Sequence, residues 1–222
     1  MSEHSKKTLL FDLDGTLVDS FPGIRESFLY TLNAMNWPIP AEERINRVPG
    51  PPMEETLRSL GMSPTQAQQG LQIYLDRYGK TGWDNSTDFP GMRDLLFRLK
   101  DEGYRICTAT SKGEYFAEKT LRRYGMYEVL DFMGAAQENG PRRDKAAVIR
   151  HVIESVDLTH GDPLLEHVLM IGDRSHDIEG AAKFSINCVA VTWGYGTPEE
   201  WAQAQYTVTT AEELERIIHD WT

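Results

Sequence analysis

Thr8-Leu9-Leu10-Phe11-Asp12-Leu13-Asp14-Gly15-Thr16 is the stretch on which the fold turns. Thr8 to Phe11 are apolar or β-branched and read as a buried strand. Asp12 and Asp14 follow at its end, two residues apart, where an extended backbone directs both side chains to the same side. Gly15 permits a sharp turn directly after them. Two like charges at the tip of a buried strand are unfavourable unless a cation or a reaction stands between them.

Downstream, the period of the sequence alternates. A helical pattern covers Met92 to Glu102 and ends near Gly103. The strand Arg105 to Thr110 comes next, then a helix from Gly113 to Tyr124 and a short strand near Val129 to Met133. A helix from Lys145 to Val156 leads to the strand His167 to Ile171. A helix from Ser175 to Phe184 leads to the strand Cys188 to Thr192, and the chain ends in helices from about Glu199 and from Ala211. Strands alternating with helices predict an α/β fold, a Rossmann-like parallel sheet with helices on both faces. Residues 20–87 interrupt the alternation after the first strand. From Ile24 to about Tyr78 the pattern is helical, punctuated by Pro38, Pro40, Pro49, Pro51 and Pro52, with Ile24, Phe28, Leu32 and Met35 at helical spacing and Ser63-Pro64 opening a further helix. Residues 20–87 read as an inserted all-α cap with polar hinges at Asp19-Ser20 and Asp84 to Asp88. The α/β core then comprises residues 1–19 and 88–222.

A chain of 222 residues buries roughly 70% of its unfolded surface without a disulfide or metal staple. The net charge of −11 lacks the basic footprint of a nucleic-acid binder. It also repels an anionic substrate at long range, so such a substrate needs local positive charge. No apolar run approaches membrane-spanning length. Met1 to Lys7 does not read as a secretory signal. The two cysteines, Cys107 and Cys188, lie in apolar runs and read as buried thiols, which makes the cytoplasm the expected compartment. The six histidines show no close pairing, which disfavours a histidine-based metal site. Oligomeric state is left open.

In open parallel sheets, ligands sit beyond the carboxyl ends of the strands. Four reactive segments fall at such places: Asp12 with Asp14, Thr110-Ser111-Lys112, Lys145 at a helix start, and Gly172-Asp173-Arg174-Ser175-His176-Asp177. Ser111 with Glu114 also fits a capping box, a purely structural reading. A lysine at a helix N-terminus opposes the helix dipole and points to an anionic partner. Together these residues supply what phosphoryl transfer needs: a nucleophile, a cation, donors to the phosphate oxygens and a proton source. Asp12 and Asp173 suit Mg²⁺, which prefers oxygen ligands. Thr110, Ser111 and Lys145 suit the phosphate, and Asp14 suits proton transfer.

On these motifs the chain resembles the haloacid dehalogenase superfamily of phosphohydrolases over nearly its whole length. The resemblance implies that Asp12 is nucleophile and Mg²⁺ ligand. It implies that Asp14 is the general acid/base and binds the metal through its main-chain carbonyl. It further implies that Thr110 binds phosphate, Lys145 orients it, and Asp173 completes the metal site. Asp177 is expected to order a metal-bound water or Lys145. Pro49-Gly50-Pro51-Pro52 is a candidate substrate-facing loop or a rigid linker, with Arg47 beside it. Ala109 to Lys112, Gly140 to Lys145 and Thr192 to Gly196 look most like the 5′-nucleotidase-like branch, with phosphoglycolate phosphatases as near relatives. Ala146 departs from the Lys-Pro form common in the latter. The expected activity is a phosphomonoesterase acting on a small phosphorylated metabolite. A phosphomutase shares every motif, whereas a phospho-accepting signalling module lacks such a cap and lacks Asp14.

Overall fold

The computed structural model describes residues 7–137, 140–158 and 163–221. Eight strands follow in chain order: β1 Thr8–Phe11, β2 Val18–Asp19, β3 Thr87–Asp88, β4 Arg105–Gly113, β5 Phe132–Ala136, β6 Val168–Gly172, β7 Asn187–Val191 and β8 Tyr206–Val208. Six form one sheet in the order β5-β4-β1-β6-β7-β8, and every pair is parallel. Chain order reverses about β1, with β4 on one side and β6 on the other. Phe11 is level with Thr108 and with Ile171, so the loops after β1, β4 and β6 open at one height. That crevice is where a parallel sheet holds ligands.

Each face of the sheet has its own apolar layer. Leu9, Phe11, Ile106 and Ile171 pack with Leu95, Leu99, Leu121 and Leu214. On the opposite face, Leu10, Cys107 and Met170 pack with Val148, Ile149 and Val152. The period-two split of Leu9/Phe11 from Leu10 is the pleat of β1 expressed as two cores. Cys107 and Cys188 are both buried and unpaired.

Between β2 and β3 the chain is helical: Phe21–Ala34, Glu42–Ile45, Met53–Ser59, Pro64–Arg77 and the π-helical turn Tyr78–Gly82. These helices enclose a third apolar cluster around Phe28, Leu32, Leu57 and Tyr74. Ser63 caps its helix in a complete capping box with Gln66, as the Ser-Pro start predicts. The segments expected as polar hinges contain more order than their composition suggests. Val18 pairs with Asp88 and Asp19 with Thr87, so an antiparallel two-strand ribbon joins insert to sheet.

Three local expectations are corrected. The strand expected near Val129 to Met133 lies at Phe132–Ala136. Its Gly-Ala-Ala end has poor β-propensity but is required by packing, since a Cβ on Gly134 would lie 2.2 Å from Val152 Cγ2. The strand Tyr206–Val208 lies in a stretch read between helices, too short to show a period. Ser111 does not cap the following helix; β4 runs on through Gly113, which is the cap residue and makes no side-chain cap bond.

Candidate active site

Asp12 leaves β1 with its N–H donating to Ile171 O at 2.8 Å. Its side chain is buried and meets Lys145 Nζ through Oδ1 at 2.8 Å. Lys145 opens the helix Lys145–Ser155, and Asp144 caps that helix by accepting from Ala147 N–H. The ammonium also meets Asp177 Oδ1 at 2.6 Å and donates to Ala109 O at 2.6 Å. An ammonium has three protons to donate, and three oxygens surround this one. Burial works against its charge, but Asp12 and then Asp177 outweigh that and raise its pKa above the ordinary lysine value.

Asp177 plays two parts. Oδ1 faces Lys145, while Oδ2 accepts from the N–H groups of Asp173 and Arg174 at 3.1 and 3.0 Å. A carboxylate in the first turn of the helix Ser175–Ala182 thus satisfies orphan donors there. Gly172 is required for this approach: a Cβ there would lie 2.3 Å from Asp177 Cγ.

Asp173 is fully buried. Oδ2 accepts from Tyr195 N–H at 2.6 Å, but Oδ1 has no hydrogen-bond partner among the described residues. Carboxylate oxygens of Asp12, Asp173 and Asp177 lie within 4.8 Å of one another. Burial pushes the Asp12 carboxyl up to about 6, with Lys145 opposing and Asp177 adding to the rise. Burial, then Asp177 and Asp12, raises Asp173 well above the carboxylate range. An all-oxygen donor set with an orphaned buried oxygen fits a hard divalent cation such as Mg²⁺. Gly15, at φ +89°, keeps that space open: a Cβ there would lie 2.3 Å from Asp173 Oδ2.

Asp14 faces the same cavity as Asp12 but answers to a different cation. Lys112 Nζ donates to its two oxygens at 2.9 and 3.1 Å, and Ser20 Oγ donates to Oδ1 at 2.6 Å. Lys112 also donates to the Tyr78 hydroxyl at 2.7 Å. Tyr78 belongs to the insert, so one ammonium joins sheet, turn and insert. Thr110 is buried, its Oγ1 accepting from Lys112 N–H at 3.2 Å. Thr110 and Ser111 both line the cavity with Asp12 and Asp14.

The cavity measures about 120 Å³, and its far wall is the insert, including Pro49 to Pro52 and Met53. Arg174 anchors that loop: its guanidinium donates to Pro49 O and pairs with Glu200 at 3.1 Å. Arg47 is exposed and lines a neighbouring depression on the insert. Four residues of the site had no role assigned from the sequence, namely Lys112, Arg174, Tyr78 and Tyr195. The Tyr195 hydroxyl accepts from the N–H groups of Ser20 and Phe21 at 2.8 and 3.1 Å and donates to Asp19 Oδ1 at 2.9 Å. Lys112 and Arg174 carried a signal, each as a cation in a strand-end segment, and Tyr195 lies in the stretch Thr192 to Gly196.

A model of the haloacid dehalogenase-like hydrolases matches residues 9–191. The chain belongs to that family. It is a HAD hydrolase of the phosphatase type. It is 37% identical over 206 residues to the tyrosine-protein kinase PtkA of Mycobacterium tuberculosis, covering 93% of this chain and 69% of that one. It is 32% identical over 193 residues to a 5′-nucleotidase of Pseudomonas aeruginosa, covering 86% and 85%. A crystal structure of a predicted phosphatase from Clostridium acetobutylicum superposes with a TM-score of 0.89 at 31% identity, over 97% and 99% of the two chains.

Proposed function

We propose that this HAD phosphatase is a Mg²⁺-dependent phosphomonoesterase that works through an aspartyl-phosphate on Asp12, under a cap formed by residues 20–87. One observation carries the reading: Asp12 and Asp14 open onto a single cavity, each held by a different buried lysine. An Asp12 oxygen attacks phosphorus as the bond to the leaving oxygen breaks, and Asp14 donates a proton to that oxygen. Asp14 then takes a proton from water, and the water oxygen displaces Asp12 to release inorganic phosphate. Thr110 and Ser111 supply hydroxyl donors to the phosphate, and Lys145 compensates its charge. Asp177 acts through Lys145, fixing the ammonium. Asp12 and Asp173 would hold the Mg²⁺, joined by the Asp14 main-chain carbonyl as in the family. When bound, the ion neutralises phosphate charge and offsets the clustered carboxylates.

The insert wall excludes water from the cavity while the ester reacts. The substrate is a small phosphorylated metabolite. Similarity to the Pseudomonas 5′-nucleotidase and the Lys145-Ala146 junction favour a nucleotidase-like activity over phosphoglycolate hydrolysis. Two unpaired buried thiols agree with residence in the cytoplasm. The test is phosphate release from a monoester panel with Mg²⁺, together with trapping of phosphorylated protein. Asp12→Asn is expected to lose both turnover and the trapped species. Wild-type turnover by that variant would refute the nucleophile. Phosphate appearing on tyrosine, rather than in solution, would favour transfer over hydrolysis.

A further inference from the structure

The two walls of the cavity differ in chemistry. The sheet side brings Asp12, Asp14 and Thr110, whereas no insert residue lining it is charged. That wall comprises Ile24, Val48, Met53, Tyr74, Leu75 and Tyr78, closed by the Pro49–Pro52 loop. Tyr74 and Tyr78 stack at 5.5 Å, and Phe116 meets Tyr78 edge-on at 5.0 Å. Among the described residues the one cation in the lining is Lys112, which is already held by Asp14 and Tyr78. Of the neighbouring cations, Arg47 is exposed and lines a separate depression rather than this cavity, and three more are engaged. Arg174 is taken by Glu200 and Pro49, Lys145 by Asp12 and Asp177, and Arg143 lies 3.6 Å from Glu54.

A second anionic group on the leaving part of a substrate would be desolvated against this wall with no unengaged cation in the described lining to pair with it, close to Asp14. Burying an unpaired charge is strongly unfavourable, while an aromatic or aliphatic surface gains by burial. We infer that the site takes monoesters of uncharged alcohols with an apolar or aromatic face and rejects leaving groups that bear a carboxylate or second phosphate. The inference rests on the phosphatase reading and narrows its substrate.

The experiment compares kcat/KM in matched pairs with Mg²⁺ present: phenyl phosphate against 4-carboxyphenyl phosphate, and 2-hydroxyethyl phosphate against phosphoglycolate. The neutral member of each pair is expected ahead by about 100-fold. Met53→Lys, which puts an ammonium on the insert wall, is expected to narrow the gap at least about tenfold; Leu75→Arg serves the same purpose should the first variant not fold. Equal rates within a pair, or faster turnover of the charged member, would overturn the inference and leave the phosphatase reading standing. If none of the four esters is hydrolysed, the monoester panel decides the phosphatase reading, and calorimetric binding of phenylphosphonate against 4-carboxyphenylphosphonate decides the pocket. Preference for the neutral phosphonate supports the inference, and equal affinity overturns it.

Discussion

Replacing Lys145 by Met tests the electrostatic centre of the site directly. The ammonium is 5% exposed and stands 2.8 Å from Asp12 and 2.6 Å from Asp177, whose side chains are 8% and 1% exposed. Its removal leaves two buried carboxylates facing each other, with Asp173 beside them. Breaking a buried pair by deleting one partner costs about 3–5 kcal/mol. In a domain of this size each kcal/mol moves Tm by about 2–4 °C, so the metal-free variant should melt roughly 6–20 °C lower at pH 7.5. The loss should also depend on pH. Asp12 already has its pKa raised to about 6 with Lys145 present, from 3.8 when unfolded. Its protonation therefore favours the fold: that contribution is complete below the unfolded value and disappears as pH rises through about 6. Without the lysine the folded pKa rises further, so acidification should recover more stability in the variant than in the parent. Calorimetry on both proteins in chelator at pH 5 and pH 7.5 is the assay. A Tm at pH 7.5 unchanged by the substitution, or a deficit equal at both pH values, would refute the reasoning.

Other outcomes follow from the same geometry. Mg²⁺ at about 100 times its Kd should add about 2.7 kcal/mol of stability at pH 7.5, and less at pH 5, read as a thermal shift against chelator. Equal shifts at both pH values would place the ion away from Asp12 and Asp173. Gly15→Ala forces a side chain onto a φ of +89° and against Asp173 Oδ2, so it should weaken Mg²⁺ binding measured by calorimetry and lower kcat by at least about tenfold. Arg174→Met releases the Pro49 carbonyl from its anchor, and it should raise KM more than it lowers kcat in steady-state assays.

The site was legible in sequence wherever chemistry sits on a strand end. Asp12 and Asp173 each follow a buried parallel strand and Thr110 ends the buried run of β4, so period and residue type together locate them. Lys145 was legible because its charge opposes a helix dipole. Lys112 and Tyr78 were not read together, since 34 residues separate them and only the seating of the insert on the sheet unites them. Arg174 stood in a reactive segment without a role, because its partners, Pro49 and Glu200, lie far off in the chain. The shift of β5 has the same origin. Gly134 suits a strand only because Val152 crosses above it.

Local composition therefore determined the parallel α/β plan, the helical insertion and the acidic pair after β1, all of which follow from periodicity and steric rules within a few residues. Tertiary structure decided how the two aspartates divide their work. Alternation along a strand placed Asp12 and Asp14 on one side, but the turn after β1 sends one to Lys145 and Asp177, the other to Lys112, Ser20 and the insert. Charge pairing acts through space at 2.6–2.9 Å, and no pattern along the chain carries that distance.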